Sequence, residues 1–559
     1  MSVKIALEVK SMLPKKETLT IEFKSDKKKL SNSDIFDAVV AFANTEGGDL
    51  YLGIEDNGTV TGVHKDHINP CTLSAFIANN TLPPVPIRAE IIEDEYPVLK
   101  ISVPKSQNGI VATISGKVQR RQIKADGTPE NIPMYPVEFA TRLSDLRMLD
   151  YSAMTLPDCT LDDFDSFEIE HLRNLILSQN GEQPLLELTN EDLLKALVLV
   201  RNINNQLVPT ITGLLMIGKV DSIKKYIPTY STSFQVLSGT DIKLNDDIYL
   251  PLLSTIDKIN TYMNAWNPEQ EIEDGLFRIS IPDFNKRAFR EALINAFSHR
   301  DYSKMGRVRI SINDEGLTIA NPGGFIEGVS INNLLTAEPH GRNPQLADTL
   351  KRIGLAEKTG RGIDRIYEGS LTYGNPLPDY SNSTQVTVSL FIPRSKPDPQ
   401  ITKIVSEEQQ RLGRPLTLNT LLLLNILKDI PRSTVEELSE AANLSKITTK
   451  SVLDTSIENG LVSTYGSGRN RTYILSPKIY NTKSKKMGYV RQVDIDETRY
   501  LELIANMAKT NDFISRADVI ELLHIDSNKA YRLLKILTEK NILESINKGR
   551  YAKYRYKAK

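Results

Sequence analysis

The stretch LSNSDIFDAVVAFANTEGGDLYLGIEDNGTVTGV, residues 30–63, changes its pattern partway along, and that change limits what the chain can build. Ile35, Phe36, Val39, Val40 and Ala43 recur at the spacing of one helix face, with Ser33 as N-cap and Gly47-Gly48 as the stop. Directly after the glycines, LYLGIEDNGTVTGV reads as strand, turn and return strand, because Asn57-Gly58 favours the positive φ of a tight hairpin. A helix that feeds straight into a hairpin, with further strands expected at IRAEIIE and YPVLKISVP, predicts an α+β region to about residue 145.

At 559 residues the chain has room for about three to five domains. Its 69 basic and 70 acidic residues nearly cancel, so any nucleic-acid surface has to be local to one face or one domain. Cys71 and Cys159 stand alone, which argues against a disulfide framework or a zinc ribbon. No apolar run approaches the roughly 20 residues of a membrane span, and the first residues lack a signal-peptide core. The expectation is a soluble cytoplasmic protein with no membrane partner.

The segment ETLTIEFKSD, residues 17–26, places Glu22 on the polar face of a short strand with Thr18, Thr20 and Lys24. Glu17 lies five positions earlier, the wrong parity for that face, so it must arrive from a bend. Asp56 ends the strand before the Asn57-Gly58 turn. Two readings follow: three acids holding Mg²⁺ or Mn²⁺ at a sheet edge and activating water, or exposed partners of Lys15, Lys16 and Lys24 with Asp56 serving its turn.

The motifs E-x₄-E-F-K and A-F-A-N-T-x-G-G-x-L-x-x-G, over roughly residues 10–145, resemble the Schlafen AlbA-like domain. In nuclease members of that family three acidic residues form a metal-dependent RNA-cleaving site. The resemblance carries that role to Glu17, Glu22 and Asp56, while many bacterial members are described only as DNA-binding. Nearby Lys24, Lys117, Arg120 and Arg121 are candidate phosphate contacts. Arg120 and Arg121 are consecutive in a strand-like stretch, so one faces the site and the other faces away.

Further on, KRAFREALINAFSHRDY reads as a helix with an apolar stripe, on which Glu291, Asn295 and His299 succeed one another at four-residue spacing. Gly323-Gly324 and Gly360-Arg361-Gly362 offer backbone N–H groups to phosphate, or simply tight turns. Together with IANPGGF and GRNPQLADTLKRIGLAEKTGRGIDRI, this region resembles the RecG-like C-terminal, histidine-kinase-type ATPase family across roughly 155–395. That resemblance implies an ATP site, Glu291 activating water and Asn295 holding Mg²⁺. Asn321-Pro322-Gly323-Gly324 replaces the Asp-x-Gly-x-Gly that reads adenine. His299 reads as a structural histidine.

The tail holds two copies of one pattern: two helices joined by a short turn, then a basic hairpin, a winged-helix arrangement. The candidate recognition helices carry Lys446, Lys450, Lys529 and Arg532; the wings carry Arg469 and Arg471, then Arg550, Lys553 and Arg555. The expected organisation is multidomain α+β: an AlbA-like nucleic-acid domain at 1–148, an ATPase-like α/β sandwich at 149–396, and winged helices at 397–485 and 486–559. Three functions stand open. They are a DNA-binding regulator with a nucleotide-sensing middle, meeting two-fold sites as a homodimer; a Schlafen-type endoribonuclease; and a scaffold with protein-binding winged helices. No GxxxxGK[ST] phosphate loop occurs, so no helicase motor is implied.

Overall fold

The computed structural model describes residues 13–274, 277–338, 340–356, 360–430, 432–465, 471–476, 497–511, 513–523, 525–546 and 552–557. The chain divides into two compact units, one formed by residues 1–266, 290–363 and 379–391, the other by 267–289, 364–378 and 392–559.

The first unit opens on a four-stranded sheet. Ile21–Lys24 runs parallel to Gly48–Leu52, which pairs antiparallel with Val98–Val103, and that strand in turn with Arg88–Ile92. The crossover between the two parallel strands is the helix Asn32–Ala43, capped by Ser31, whose hydroxyl accepts from the Asp34 N–H; Ser33, the expected cap, lies inside the helix. Ile35, Val39 and Phe42 pack on Leu50, Leu52, Leu99 and Ile101 to form the main core of this sheet. Phe23, Tyr51, Ile54 and Val98 form a second, smaller core on the opposite face. Of the edge strand's polar row Glu22 is buried, while Thr20 is exposed and Lys24 partly exposed. The return strand expected after Asn57-Gly58 is reduced to a single bridge between Ile54 and Val60.

Gly48 is needed where the helix gives way to the strand. Its φ is +152°, and a Cβ there would lie 2.4 Å from the Thr20 carbonyl oxygen and 2.5 Å from the Phe42 ring. The strand-like stretch of Arg120 and Arg121 is one arm of a hairpin, Gln119–Ile123 with Pro129–Pro133, placing Arg121 directly opposite Asn131. Asn44 pins this hairpin: its side-chain amide donates to the carbonyls of Val111 (2.8 Å) and Gln119 (2.9 Å) and accepts from the Val111 N–H (2.8 Å). The Thr45 hydroxyl accepts from the Arg121 N–H at 2.8 Å. The helix Pro136–Asp145 closes this region.

The remainder of the unit is built on a five-stranded sheet ordered Asp241–Ile248, Thr232–Ser238, Val308–Ile312, Gly316–Pro322 and Thr387–Pro393. Phe234, Val236, Ile310, Ile312, Leu317 and Ile319 are buried on one face, and Leu252–Trp266 packs against the Thr232–Ser238 strand. The helix Lys286–His299 buries Leu293, Ile294 and Phe297.

In the second unit the tail repeats one order twice. The first copy runs Leu418–Asp429, Val435–Ala442, Lys446–Glu458 and the hairpin Val462–Tyr465 with Thr472–Leu475, and Ser433 bridges to Tyr473. The second runs Glu497–Thr510, the short strand Ile514–Ser515, Arg516–Leu523, Ser527–Glu539 and the strands Leu543–Ser545 and Lys553–Tyr556. Asn443 closes the first inter-helix turn with φ 51°, a left-handed conformation that asparagine tolerates. Each copy has its own apolar core. Among the described residues no helix is long and apolar enough to cross a membrane.

Candidate functional site

Glu22 is buried, and its surroundings account for that. It stands opposite Leu50 on the helix-covered face of the edge strand, where an unpaired carboxylate would cost several kcal/mol. Arg121 donates to its Oε2, Lys24 Nζ lies 2.8 Å from Oε1, and the Asn131 amide donates to both oxygens at 3.1 and 3.2 Å. Arg121 is itself held by the carbonyls of Leu19 (2.8 Å) and Thr18 (3.0 Å), with its guanidinium 4.4 Å above the Phe42 ring.

Glu17 does arrive by a bend: Thr18 and Ile21 pair backbone to backbone across a tight turn, and Glu17 Oε1 then accepts from the Phe23 N–H at 2.8 Å. Burial raises the Glu17 pKa; the Phe23 N–H opposes the rise, and the charges of Glu22 and Asp56 add to it. Burial pulls the Lys24 ammonium down, yet Glu22, Glu17 and Asp56 together hold it above its ordinary value. Asp56 is exposed on its turn. So the three acids are close enough to feel one another. They do not compose a metal cage: among the described residues no group of three or more His, Cys, Asp or Glu is placed to hold a metal ion. Glu22 spends its oxygens on two cations and an amide, a donor set that does not fit Mg²⁺ or Mn²⁺.

The other cations expected near this site are paired as well. Lys117 Nζ lies 2.8 Å from Asp37, and Arg120 Nε donates to Glu138 at 2.7 Å. Of the two consecutive arginines, one faces the acids and the other faces away, as parity predicts.

In the ATPase-like region, Glu291 and Asn295 stand on one face of Lys286–His299, and Gly362 lies against both. A Cβ at Gly362 would sit 3.3 Å from Asn295 Nδ2 and 3.3 Å from Glu291 Oε2. That bare Cα leaves a cradle over a carboxylate and an amide, the pair on which the ATPase resemblance places a Mg²⁺-nucleotide. Gly360, φ +73°, lies just before Gly362.

Asn321, Gly323 and Gly324 take a different part. The Gly323 N–H donates to the Val386 carbonyl at 2.8 Å, and a Cβ at Gly323 would collide with Arg342. A Cβ at Gly324 would lie 2.5 Å from the Gln385 carbonyl oxygen, and the Asn321 amide donates to the Pro322 carbonyl at 3.3 Å. These residues lock one strand end to Arg342 and Asp301.

His299 lies beside Gly341; burial, with Arg342 and His340 near it, pushes its pKa down to about 4. Arg300 is fully buried and donates to the carbonyls of Asp301 (2.9 Å), Gly306 (2.6 Å) and Thr229. No spacing in the sequence marks it as a structural anchor.

In the tail, Lys450 is exposed and Lys446 pairs with Glu436 at 3.1 Å. Lys529 lies 4.9 Å from the Tyr500 ring centroid, Lys553 3.8 Å from that of Phe513 and Arg471 5.5 Å from that of Tyr473. Arg532 is exposed on the Ser527–Glu539 helix, and Arg555 lies on the Lys553–Tyr556 strand. Arg469 and Arg550 lie outside the described residues.

Comparison with known families matches residues 17–128 to "Schlafen, AlbA_2" and 306–390 to "Putative ATP-dependent DNA helicase recG C-terminal". Residues 142–233 match a domain of unknown function, DUF8451. The chain is thus a multidomain α+β protein carrying a Schlafen AlbA_2 domain and a RecG C-terminal ATPase-like domain. No curated protein matches it. Among solved structures it is similar to the DIP2311 protein of Corynebacterium diphtheriae, at 18% identity over 96% of this chain and 95% of that one, with a TM-score of 0.49. A MarR family transcriptional regulator from Silicibacter pomeroyi matches at 24% identity over 25% of this chain and 80% of its own, with a TM-score of 0.12. Staphylococcus aureus MarR, in complex with salicylate and kanamycin, matches at 23% over 19% and 78%, also with a TM-score of 0.12.

Proposed function

We propose that this chain is a nucleic-acid-binding regulator: its tail reads duplex DNA through two winged helices, and its ATPase-like domain senses a nucleotide. The observation that carries this reading is the duplicated tail. In each copy the second helix of the pair buries one face, Thr449, Leu453 and Ser456 in one and Ala530, Leu533, Leu534 and Leu537 in the other. The opposite face is left to solvent with Lys446 and Lys450, or with Tyr531, Arg532 and Lys535. A helix of that kind, followed by a hairpin, suits the major groove with the hairpin on phosphate. A homodimer would offer two such tails to a two-fold site.

The Schlafen AlbA_2 domain supports nucleic acid as the partner, and the paired state of Glu22 favours binding over phosphodiester cleavage. The cradle of Glu291, Asn295 and Gly362 supports a nucleotide in the middle domain. When bound, Mg²⁺-ATP would supply a hydrolysable phosphate there; the replaced adenine-reading motif points to sensing instead.

Fluorescence anisotropy of a labelled duplex against the full chain, over a range of salt, tests the reading. Binding that weakens with salt and weakens further in Lys450→Glu is expected. Equal binding by the variant overturns the Lys450 helix as the reader, and no binding by the parent at low salt overturns the reading in favour of a scaffold. RNA cleavage in Mn²⁺ that is lost in Glu17→Ala would overturn it in favour of a nuclease.

A further inference from the structure

The five-stranded sheet has two faces, and the function above uses neither the open one nor the depression in it. Opposite the buried Phe234–Ile310 face, strand register sets out two rows. Asp247, Ser233, Arg309 and Ala320 lie side by side across four strands; one step along, Asn245, Gln235, Ser311 and Thr318 do the same. Ser233 and Ala320 are small and flank Arg309, so the sheet is hollowed on either side of a long cationic side chain. The result is a cavity of about 720 Å³, lined among others by Arg309, Arg307, Lys304, Gln235, Asn245 and Thr387. Cavities that enclose small ligands run about 300–1,000 Å³.

The lining is polarised. Lys304, Arg307 and Arg309 gather at one end, and no acidic side chain lines the cavity. Arg307 pairs with Asp247, and Lys304 Nζ lies 3.7 Å from Asp301, but among the described residues Arg309 faces no carboxylate. The neutral amides of Gln235 and Asn245 occupy the other end. Met305, 75% exposed, and Val386, 60% exposed, supply apolar walls. An anion at the cationic end, a hydrogen-bonding body over the amides and a flat apolar edge against Met305 and Val386 would satisfy all three parts.

We infer that this sheet face binds a small phosphorylated molecule of nucleotide size, at a site separate from the cradle of Glu291, Asn295 and Gly362. Isothermal titration of the full chain with the four nucleoside 5′-monophosphates, and in parallel with inorganic phosphate, tests it. At least one monophosphate is expected to bind, about tenfold or more weakly to Arg309→Glu. Gln235→Ala should weaken the nucleotide alone, and Asn295→Ala should leave binding intact. Arg309 is exposed, so its variant is expected to melt like the parent without ligand. The inference fails if no monophosphate binds, if Arg309→Glu binds as the parent does, or if Asn295→Ala abolishes binding. Inorganic phosphate binding as tightly as the nucleotides overturns the nucleotide-sized reading. A single-stranded 12-mer that takes the same Arg309-dependent site more tightly overturns it in favour of a strand-binding surface.

Discussion

The carboxylate of Glu22 accepts a hydrogen bond from the guanidinium of Arg121, 99 residues further along the chain, with both side chains buried. This pair joins the edge strand to the Gln119–Ile123 hairpin strand across the Phe42 ring. Removing one partner strands the other in a poorly solvated place, which typically costs about 3–5 kcal/mol. Arg121→Met is therefore expected to destabilise the protein by about 3 kcal/mol and to lower its melting temperature. The double variant with Glu22→Gln should recover part of that loss. A double variant no more stable than Arg121→Met would show that Glu22 is not what Arg121 holds.

Glu17 gives a pH signature. Burial, reinforced by Glu22 and Asp56, raises its pKa in the folded state above the ordinary carboxylate value. Between those two values the native state holds more protons than the unfolded one, so stability from this group falls as pH rises through that window. Glu17→Gln keeps an acceptor for the Phe23 N–H and removes the charge. It should melt higher than the parent at pH 7 and alike at pH 4. A variant that melts lower at pH 7 would overturn this account.

His299 acts with the opposite sign. Its folded pKa is pushed down to about 4 from the ordinary 6.5, so the unfolded chain binds the extra proton. Stability is present above pH 6.5 and is lost as pH falls toward 4, by about 3 kcal/mol at most. His299→Gln should flatten that part of the stability profile. An unchanged slope between pH 6.5 and 4 would assign the acid loss to other groups.

Periodicity made the helices at 32–43 and 286–299 and both tail repeats legible, because those patterns are local. The fate of Glu22 was not legible. Its parity puts it on one face with Thr20 and Lys24, but polarity suggested water where the fold puts Phe42 and the Asn44-pinned hairpin. The cations that neutralise it are Lys24, two residues away, and Arg121, which with the Asn131 amide is brought in by a hairpin about a hundred residues later. Likewise Arg309 looks like any exposed strand residue until three strands align Ser233, Arg309 and Ala320 in one row. The shared helix face of Glu291 and Asn295 was readable from their four-residue spacing; the contact of Gly362 with both depends on the tertiary fold.

That contact gives a direct test. A methyl at Gly362 would press on Asn295 and Glu291 at 3.3 Å, in the space that the proposed nucleotide site needs for a phosphate. Gly362 opens a helix without needing a positive φ, so Gly362→Ala is expected to fold and melt normally. The thermal shift given by a non-hydrolysable ATP analogue with Mg²⁺ should disappear in it. A full shift in Gly362→Ala would place the nucleotide elsewhere.

The AlbA_2 region and the ATPase-like region meet through charges on the helix Pro136–Asp145. Arg342 donates to Asp145 Oδ1 at 2.5 Å and to the Gly324 carbonyl at 3.1 Å; Arg142 donates to Glu327 at 2.8 Å; Thr141 donates to Asp301 at 2.8 Å. Arg342 thus ties that helix to the Gly323-Gly324 turn with one buried side chain. Buried polar networks are strong when complete and fail locally when one member is lost. Arg342→Ala should raise amide hydrogen exchange in 136–146 and 323–327 together, while the 32–43 helix stays protected. Exchange rising on one side only, or not at all, would mean that the two regions are joined by something other than this arginine.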